Sequence, residues 1–258
     1  MFELLVQGRV ALLTLCRPPV NAISEQWGEG FLTLLERLEA RDDWNVLHLR
    51  SNQKVFAAGA DLAQIESWIS APRPDATLSA YIRKLQAVLR RLESTPRVTL
   101  AEIGGAALGG GLELALACGS IFAGRDAHFG QPEIRLGVIA PAASVLLPYR
   151  VSQPVAEDLL LSGRSITADE ALQCGLVQAL AEDPEAAALD WFTQHLQPRS
   201  GASLGFALSA VRGQMRKDVR RRLAEVEQIY LERLMRTHDA NEGLTAFLDK
   251  RQPDWTHQ

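Results

Sequence analysis

Two short segments carry the residue types needed for proton transfer to a bound ligand. One is Gly-Gly-Gly-Leu-Glu at residues 109–113, and the other is Gly-Gln-Pro-Glu at residues 130–133. Glycines at the end of an apolar run let a ligand approach the bare backbone. A helix that begins there points free N–H groups at that ligand. With Glu113 and Glu133 placed to transfer protons, the two segments predict a site that stabilises an oxyanion and performs acid/base chemistry.

Alternating strands and helices are expected to position these segments. Short apolar runs predict strands over residues 10–15, 45–50, 98–103 and 120–123. Helical periodicity and capping residues predict helices from Ser24 to about Ala40, over residues 78–92, and from the triple glycine to about Cys118. This order is typical of an α/β domain whose parallel strands are joined by crossover helices.

The chain becomes predominantly helical after about Gln153. Helices are predicted over residues 154–161, after the capping box at residues 167–170, from Pro184 to Leu196, and over residues 211–235. The expected organisation is therefore an α/β core followed by an all-helical C-terminal region.

Composition restricts the function classes. The 258 residues carry a net charge of -4, which argues against nucleic acid as the main partner because phosphate binding needs a basic surface. The three cysteines are widely spaced and predict inert thiols in a reducing cytoplasm. We expect no membrane span, because the chain has no long apolar run, and no metal site, because the histidines are scattered.

Six ordered motifs lie at residues 17–22, 56–62, 107–115, 131–137, 161–164 and 242–251. Together they resemble the crotonase (enoyl-CoA hydratase/isomerase) superfamily over nearly the whole chain. The resemblance implies a crotonase-like α/β spiral of ββα units at residues 1–195 and a helical C-terminal trimerisation region at residues 196–258. It also implies acyl-CoA thioester substrates, a homotrimer or a dimer of trimers, and no separate cofactor, because CoA is part of the substrate.

The same resemblance implies specific site residues. The thioester oxygen would accept hydrogen bonds from the backbone N–H groups of Ala60 and Gly110, which form an oxyanion hole. Hydratases of this family use two glutamates twenty residues apart, and Glu113 and Glu133 match both positions. Which of them acts as acid and which as base stays open. In isolation, Glu113 also fits a charge in the first turn of a helix, and Ala60 and Gly110 also fit tight turns.

Six residues are candidates for binding CoA by the same resemblance: Arg17, Ala58, Asp61, Leu62, Phe247 and Lys250. Asp61 also fits the cap of a helix that begins at Leu62, and Lys250 also fits a solvated helix end. The arginines of residues 216–222 are better interpreted as a solvated or intersubunit helix face than as a ligand site.

The segment after Glu133 departs from that of simple hydratases, which carry a Pro-Gly-x-Gly-Gly-like loop. Here residues 139–144 read Ile-Ala-Pro-Ala-Ala-Ser. The added methyl groups occupy volume, so we predict a modified pocket wall formed by Ala140, Pro141, Ala142 and Ala143. Glu102 is also unusual, and it fits either a structural strand residue or a pocket residue.

This loop and residues 156–166 and 238–244 most resemble the group of the family that hydrates cyclohexa-1,5-diene-1-carbonyl-CoA to 6-hydroxycyclohex-1-ene-1-carbonyl-CoA in anaerobic aromatic degradation. Water would add to the ring carbon β to the thioester, and the proton would arrive at the far end of the second double bond. The alternatives are a linear enoyl-CoA hydratase, an enoyl-CoA isomerase, or a non-catalytic acyl-CoA-binding protein. Retention of both glutamates favours a hydratase.

Overall fold

Strands and helices are interspersed through the first two thirds of the chain. The structure is a computed structural model that describes residues 1–69 and 74–258. Its strands are β1 (Phe2–Gln7), β2 (Val10–Leu15), β3 (Val46–Ser51), β4 (Val98–Ile103), β5 (Ala106–Leu108), β6 (Ser120–Gly124), β7 (His128–Gly130), β8 (Ser165–Thr167) and β9 (Ala179–Ala181). Its α-helices are α1 (Glu25–Glu39), α2 (Leu62–Ile69), α3 (Pro74–Ser94), α4 (Gly110–Ala117), α5 (Ala143–Leu146), α6 (Gln153–Ser162), α7 (Ala168–Gln173), α8 (Pro184–Trp191), α9 (Gly201–Gln228) and α10 (His238–Leu248).

These strands form two sheets, which the sequence did not predict as separate. A six-stranded sheet has the order β1-β2-β3-β4-β6-β9, and a three-stranded sheet has the order β5-β7-β8. Most neighbours are parallel, as expected, but β1 pairs antiparallel with β2, and β7 pairs antiparallel with β8. The predicted crossover pattern therefore holds for the centre of the large sheet and fails at these two pairs.

The chain advances by repeated strand–strand–helix units, which is the spiral that the resemblance implies. In one unit β4 joins the large sheet, β5 joins the small sheet, and α4 follows. In the next unit β6 and β7 occupy the same two sheets, and a 3-10 helix at Pro132–Leu136 follows. Because β5 and β7 are parallel neighbours, the segments that follow them begin side by side.

Local signals explain the helix ends that the sequence indicated. Ser24 caps α1 by accepting a hydrogen bond from the Trp27 N–H at 3.1 Å. Trp27 and Phe31 are then fully buried on one face of α1 and stack with ring centroids 4.9 Å apart. The predicted capping box is confirmed at the start of α7, between Thr167 and Glu170.

The chain after Gln153 is mostly helical, as predicted, but it is not all helical, because β8 joins the small sheet and β9 joins the large one. A π-helical turn at Phe192–Leu196 precedes α9, which begins ten residues before the predicted start at residue 211. The division at residues 195 and 196 and the trimerisation role stay predictions. Within residues 1–69 and 74–258, no helix is long and apolar enough to cross a membrane.

Candidate active site

The two small-residue loops that carry Ala60 and Gly110 lie against each other. Ala57 forms an isolated parallel bridge with Ala107, and the Leu108 N–H donates to the Ala57 carbonyl at 3.0 Å. This bridge extends the register of the small sheet, because Ala107 belongs to β5. The loop of residues 57–61 is therefore held beside the start of α4.

Both backbone amides of the predicted oxyanion hole are available. Ile23 bridges Ala60 in parallel, donating to the Gly59 carbonyl at 2.8 Å and accepting from the Asp61 N–H at 3.0 Å. In such a bridge the N–H of Ala60 itself points away from Ile23. Gly110 is the first residue of α4, where N–H groups have no partner inside the helix. Neither amide donates a hydrogen bond within the residues that the structure describes.

Two glycines make this close approach of the loops possible. Gly59 has φ +93°, and a Cβ there would lie 3.1 Å from the Leu108 carbonyl oxygen and 3.5 Å from the Gly110 nitrogen. Gly109 has φ +53°, and a Cβ there would lie 2.7 Å from Oε1 of Glu133. A side chain at either position would be strained by the positive φ, and one at Gly109 would also collide with the Glu133 carboxyl group.

Glu113 is buried in the first turn of α4, with 3% of its surface exposed. Its Oε1 accepts hydrogen bonds from the backbone N–H groups of Ala142 and Ala143 at 2.8 and 2.9 Å. Burial raises the pKa of Glu113, and the two amides partly oppose that increase. Glu113 therefore does lie in the first turn of a helix, but it is buried there and is not a residue of the helix surface.

Glu133 lies in the 3-10 helix that follows β7. Burial, and then the charge of Glu113, raise the pKa of Glu133 to about 8. With its amide oriented to donate, Gln131 places its nitrogen 3.2 and 3.0 Å from the two carboxyl oxygens of Glu133. The buried Glu113 and the half-buried Glu133, which interact in this way, hold at least one proton between them at neutral pH.

A cavity of about 760 Å³ contains both glutamates and both loops. The predicted site residues that line it are Ala58, Ala60, Asp61, Gly110, Glu113, Glu133, Pro141 and Phe247. Most of the remaining lining residues are apolar. The arrangement can therefore hold a largely apolar ligand with one oxygen at the two amides and its reacting carbons near two carboxyl groups.

The sequence and the fold match those of known proteins. Residues 6–258 match the family described as Enoyl-CoA hydratase/isomerase. The chain belongs to this family, the crotonase superfamily. The resemblance inferred from the motifs is thus confirmed, and so is the prediction of a hydro-lyase of the enoyl-CoA hydratase class.

Individual relatives of this crotonase span nearly its whole length. The cyclohexa-1,5-dienecarbonyl-CoA hydratase of Thauera aromatica is 51% identical over 97% of the chain and 94% of its own length. The 2,3-dehydroadipyl-CoA hydratase of Escherichia coli K12 is 36% identical over 99% of both chains. The crystal structure of an enoyl-CoA hydratase/isomerase from Pseudoalteromonas atlantica has a TM-score of 0.84 and 28% identity over 99% of both chains.

The predicted pocket wall needs correction in this crotonase. Pro141 lines the cavity, but Ala140, Ala142 and Ala143 are buried and are not among its lining residues. The reason is the direction of the backbone, because Ala142 and Ala143 turn their N–H groups toward Glu113. Their contribution is to position a carboxylate rather than to shape the ligand.

The candidate CoA-binding residues divide into two sets. Ala58, Asp61 and Phe247 line the cavity, and Phe247 is 44% exposed. Arg17 lies 2.5 Å from Asp61, so its charge is already partnered. The Asp61 carboxylate also accepts from the Ala63 N–H at 3.1 Å, as a cap of α2 does.

The other two candidates, Leu62 and Lys250, are not among the described residues that line the cavity. Leu62 begins α2, but its side chain lies outside the described residues. Lys250 follows α10 with φ +56° and is exposed outside the cavity lining. The next residue, Arg251, does line the cavity, and Glu242 holds its guanidinium at 2.5 and 2.8 Å.

Glu102 lies in the strand β4 and is not among the residues that line the cavity. Its carboxylate lies 3.6 Å from Nε2 of the fully buried His48 on the neighbouring strand. Glu102 pairs in register with Phe122, which belongs to the cluster covered by α8. The interpretation of Glu102 as a pocket residue is therefore wrong.

Several lining residues were not identified from the sequence: Tyr81, Arg135 and Tyr230. The Tyr81 hydroxyl donates to the Ile23 carbonyl at 2.9 Å and so supports the strand segment that pairs with Ala60. Arg135 is exposed and has no acidic partner within the described part of the chain. The sequence signal that could have identified Arg135 was its position two residues after Glu133, where a cation can bind a phosphate group of the ligand.

Proposed function

We propose that this crotonase hydrates cyclohexa-1,5-diene-1-carbonyl-CoA to 6-hydroxycyclohex-1-ene-1-carbonyl-CoA in anaerobic aromatic degradation. The observation that carries hydration is the meeting of the buried Glu113, the half-buried Glu133 and two free backbone amides in one cavity. The choice of the cyclic dienoyl thioester rests on the 51% identity with the enzyme of that name from Thauera aromatica.

In this proposal the thioester oxygen accepts hydrogen bonds from the Ala60 and Gly110 amides. Addition of water develops negative charge on that oxygen as a dienolate forms. Donors that already point at the oxygen stabilise this charge more than the neutral ground state. The N-terminal end of α4 adds a positive partial charge beside Gly110.

The environments of the two glutamates suggest different roles. Glu113 accepts two amide N–H bonds, which favour its charged form, so we assign it as the base that removes a proton from water. Glu133, with its pKa raised to about 8, holds a proton near neutral pH and acts as the acid. As the water oxygen bonds to the carbon β to the thioester, Glu133 delivers its proton to the far carbon of the second double bond.

The cavity also suits the rest of the substrate. Its apolar lining fits a six-membered ring, and Phe247, Asp61 and Arg135 fit contacts to the CoA portion, with Arg135 as a cation for phosphate. A homotrimer or dimer of trimers, a cytoplasmic location and the absence of any separate cofactor complete the proposal.

A linear enoyl-CoA is the second candidate substrate. The Escherichia coli relative, at 36% identity, is named for the linear substrate 2,3-dehydroadipyl-CoA. The same amides and carboxyl groups serve both substrates, because each reaction passes through a thioester enolate.

A side-by-side assay decides between these substrates. Purified protein is given cyclohexa-1,5-diene-1-carbonyl-CoA or crotonyl-CoA, and products are identified by mass spectrometry in ¹⁸O-labelled water. We expect the cyclic substrate to have the higher kcat/KM and to gain one ¹⁸O atom. Strong turnover of crotonyl-CoA alone would reject the cyclic substrate. Double-bond movement without ¹⁸O uptake would indicate an isomerase, and no turnover of either thioester would favour a binding protein.

A further inference from the structure

Tyr230 is a polar residue of the cavity that the two-glutamate mechanism does not use. Its side chain is 6% exposed, and it lines the same cavity as Glu113 and Glu133. Within residues 1–69 and 74–258 its hydroxyl has no hydrogen-bond partner. Buried hydroxyls almost always have a partner, so this one is expected to bind a group that enters the cavity.

Most residues packed around Tyr230 are apolar, and Tyr81 in the same cluster already donates its hydroxyl hydrogen to the Ile23 carbonyl. The ring packs in an apolar cluster with Leu136, Val138, Leu234 and Leu244. Burial, and then the charges of Glu133 and Glu113, raise the pKa of Tyr230, so the hydroxyl remains protonated at neutral pH. The hydroxyl therefore lies within the electrostatic reach of the two carboxyl groups.

The backbone at Tyr230 is also unusual. It belongs to a π-helical turn at Ile229–Arg233 that interrupts the path from α9 to a 3-10 turn at Leu234–Arg236. Such turns are rare, and they occur frequently at functional sites because the extra residue redirects the side chains.

A comparison with the other cavity tyrosine separates two roles. The Tyr81 hydroxyl donates to the Ile23 carbonyl, so it positions the segment beside the oxyanion hole. Tyr230 has no such backbone partner. The two hydroxyls therefore differ in function, and that of Tyr230 is free for a ligand.

We propose that the Tyr230 hydroxyl holds the reacting water by accepting the hydrogen that Glu113 does not remove. One water proton then passes to Glu113, the oxygen forms its bond to carbon, and the second hydrogen stays on that oxygen, still directed at Tyr230. The same hydrogen bond binds the hydroxyl group of the product. This inference rests on the proposed hydration, but it holds for a cyclic or a linear enoyl-CoA.

The test uses Tyr230→Phe, which removes one oxygen atom and keeps the ring. We measure the affinity of each protein for 6-hydroxycyclohex-1-ene-1-carbonyl-CoA and for cyclohex-1-ene-1-carbonyl-CoA, which lacks only the hydroxyl group. A lost hydrogen bond is expected to lower the preference for the hydroxylated ligand about 5- to 10-fold. Butyryl-CoA and 3-hydroxybutyryl-CoA form the equivalent linear pair. Because the readout is a ratio within one sample, any loss of folded protein cancels.

Tyr149→Phe is the matched control, since Tyr149 is 42% exposed and does not line the cavity. It should leave the ratio and kcat/KM unchanged, whereas Tyr230→Phe should also lower kcat/KM for hydration by about 5- to 10-fold. An unchanged ratio in Tyr230→Phe for both ligand pairs would overturn the inference. If the wild-type protein instead hydrates neither thioester, the proposed function is wrong. The ratio of the two ligand affinities still tests separately whether Tyr230 binds a hydroxyl group.

Discussion

Replacement of Glu133 by glutamine should lower the hydration activity and raise the free energy of unfolding at alkaline pH. The pKa of Glu133 rises from 4.5 to about 8 in the folded protein. Between these values the folded protein holds a proton that the unfolded chain has released, so the free energy of unfolding falls as the pH rises. This contribution is fully present below pH 4.5 and is lost as the pH passes about 8.

The size of the effect follows from those two pKa values. Each pH unit in this interval corresponds to about 1.4 kcal/mol. The loss from about pH 5.5 to about pH 9 is therefore about 3 kcal/mol, taken as an upper limit because water in the cavity solvates the carboxylate. Glutamine is neutral throughout, so the variant should gain up to that amount relative to wild type at the higher pH.

Urea unfolding followed by tryptophan fluorescence, at fixed protein concentration and at both pH values, measures this difference. Glu182→Gln is a suitable control because its side chain is 85% exposed, and its curves should shift with pH as those of wild type do. If Glu133→Gln and wild type change equally between the two pH values, the argument that Glu133 is protonated in the folded protein is refuted.

Three other outcomes follow from the site. Glu113→Gln should lower kcat for hydration by about 10²- to 10⁴-fold with little change in KM, as measured by steady-state kinetics; a loss confined to KM would contradict a role as base. The kcat/KM of wild type should fall above about pH 8, where Glu133 loses its proton, and a flat profile through that range would argue against Glu133 as the acid. Gly109→Ala should abolish hydration because its Cβ would lie 2.7 Å from Oε1 of Glu133. Gly213→Ala, whose Cβ meets nothing within 4 Å, should retain activity and stabilise α9 by about 0.4–1 kcal/mol; equal losses in the two variants would refute the steric argument.

The residues whose role depends on local backbone geometry were the easiest to predict from the sequence. The triple glycine at residues 109–111 and the glutamates at 113 and 133 identify the site, because close approach and helix start are encoded within a few residues. The helix that starts at residue 110 ends within one residue of its predicted end. The capping box at Thr167 was predictable for the same reason.

Features that depend on tertiary direction could not be predicted in this way. Nothing local in the loop after Glu133 tells whether Ala142 and Ala143 face a ligand or donate to Glu113. Tyr230 enters the cavity from the far end of a 28-residue helix, so its placement depends on packing between distant elements. The edge strand β1 was missed because its pairing with β2 is set by the hairpin between them.

The proposed oxyanion hole for the thioester consists of main-chain atoms. Of the twenty residue types only proline lacks a backbone N–H, so almost every other substitution at Ala60 or Gly110 leaves that amide in place. The carboxyl groups of Glu113 and Glu133 have no such protection, since one nucleotide change removes either of them. Divergence on this scaffold should therefore preserve enolate formation and alter what happens to the enolate next.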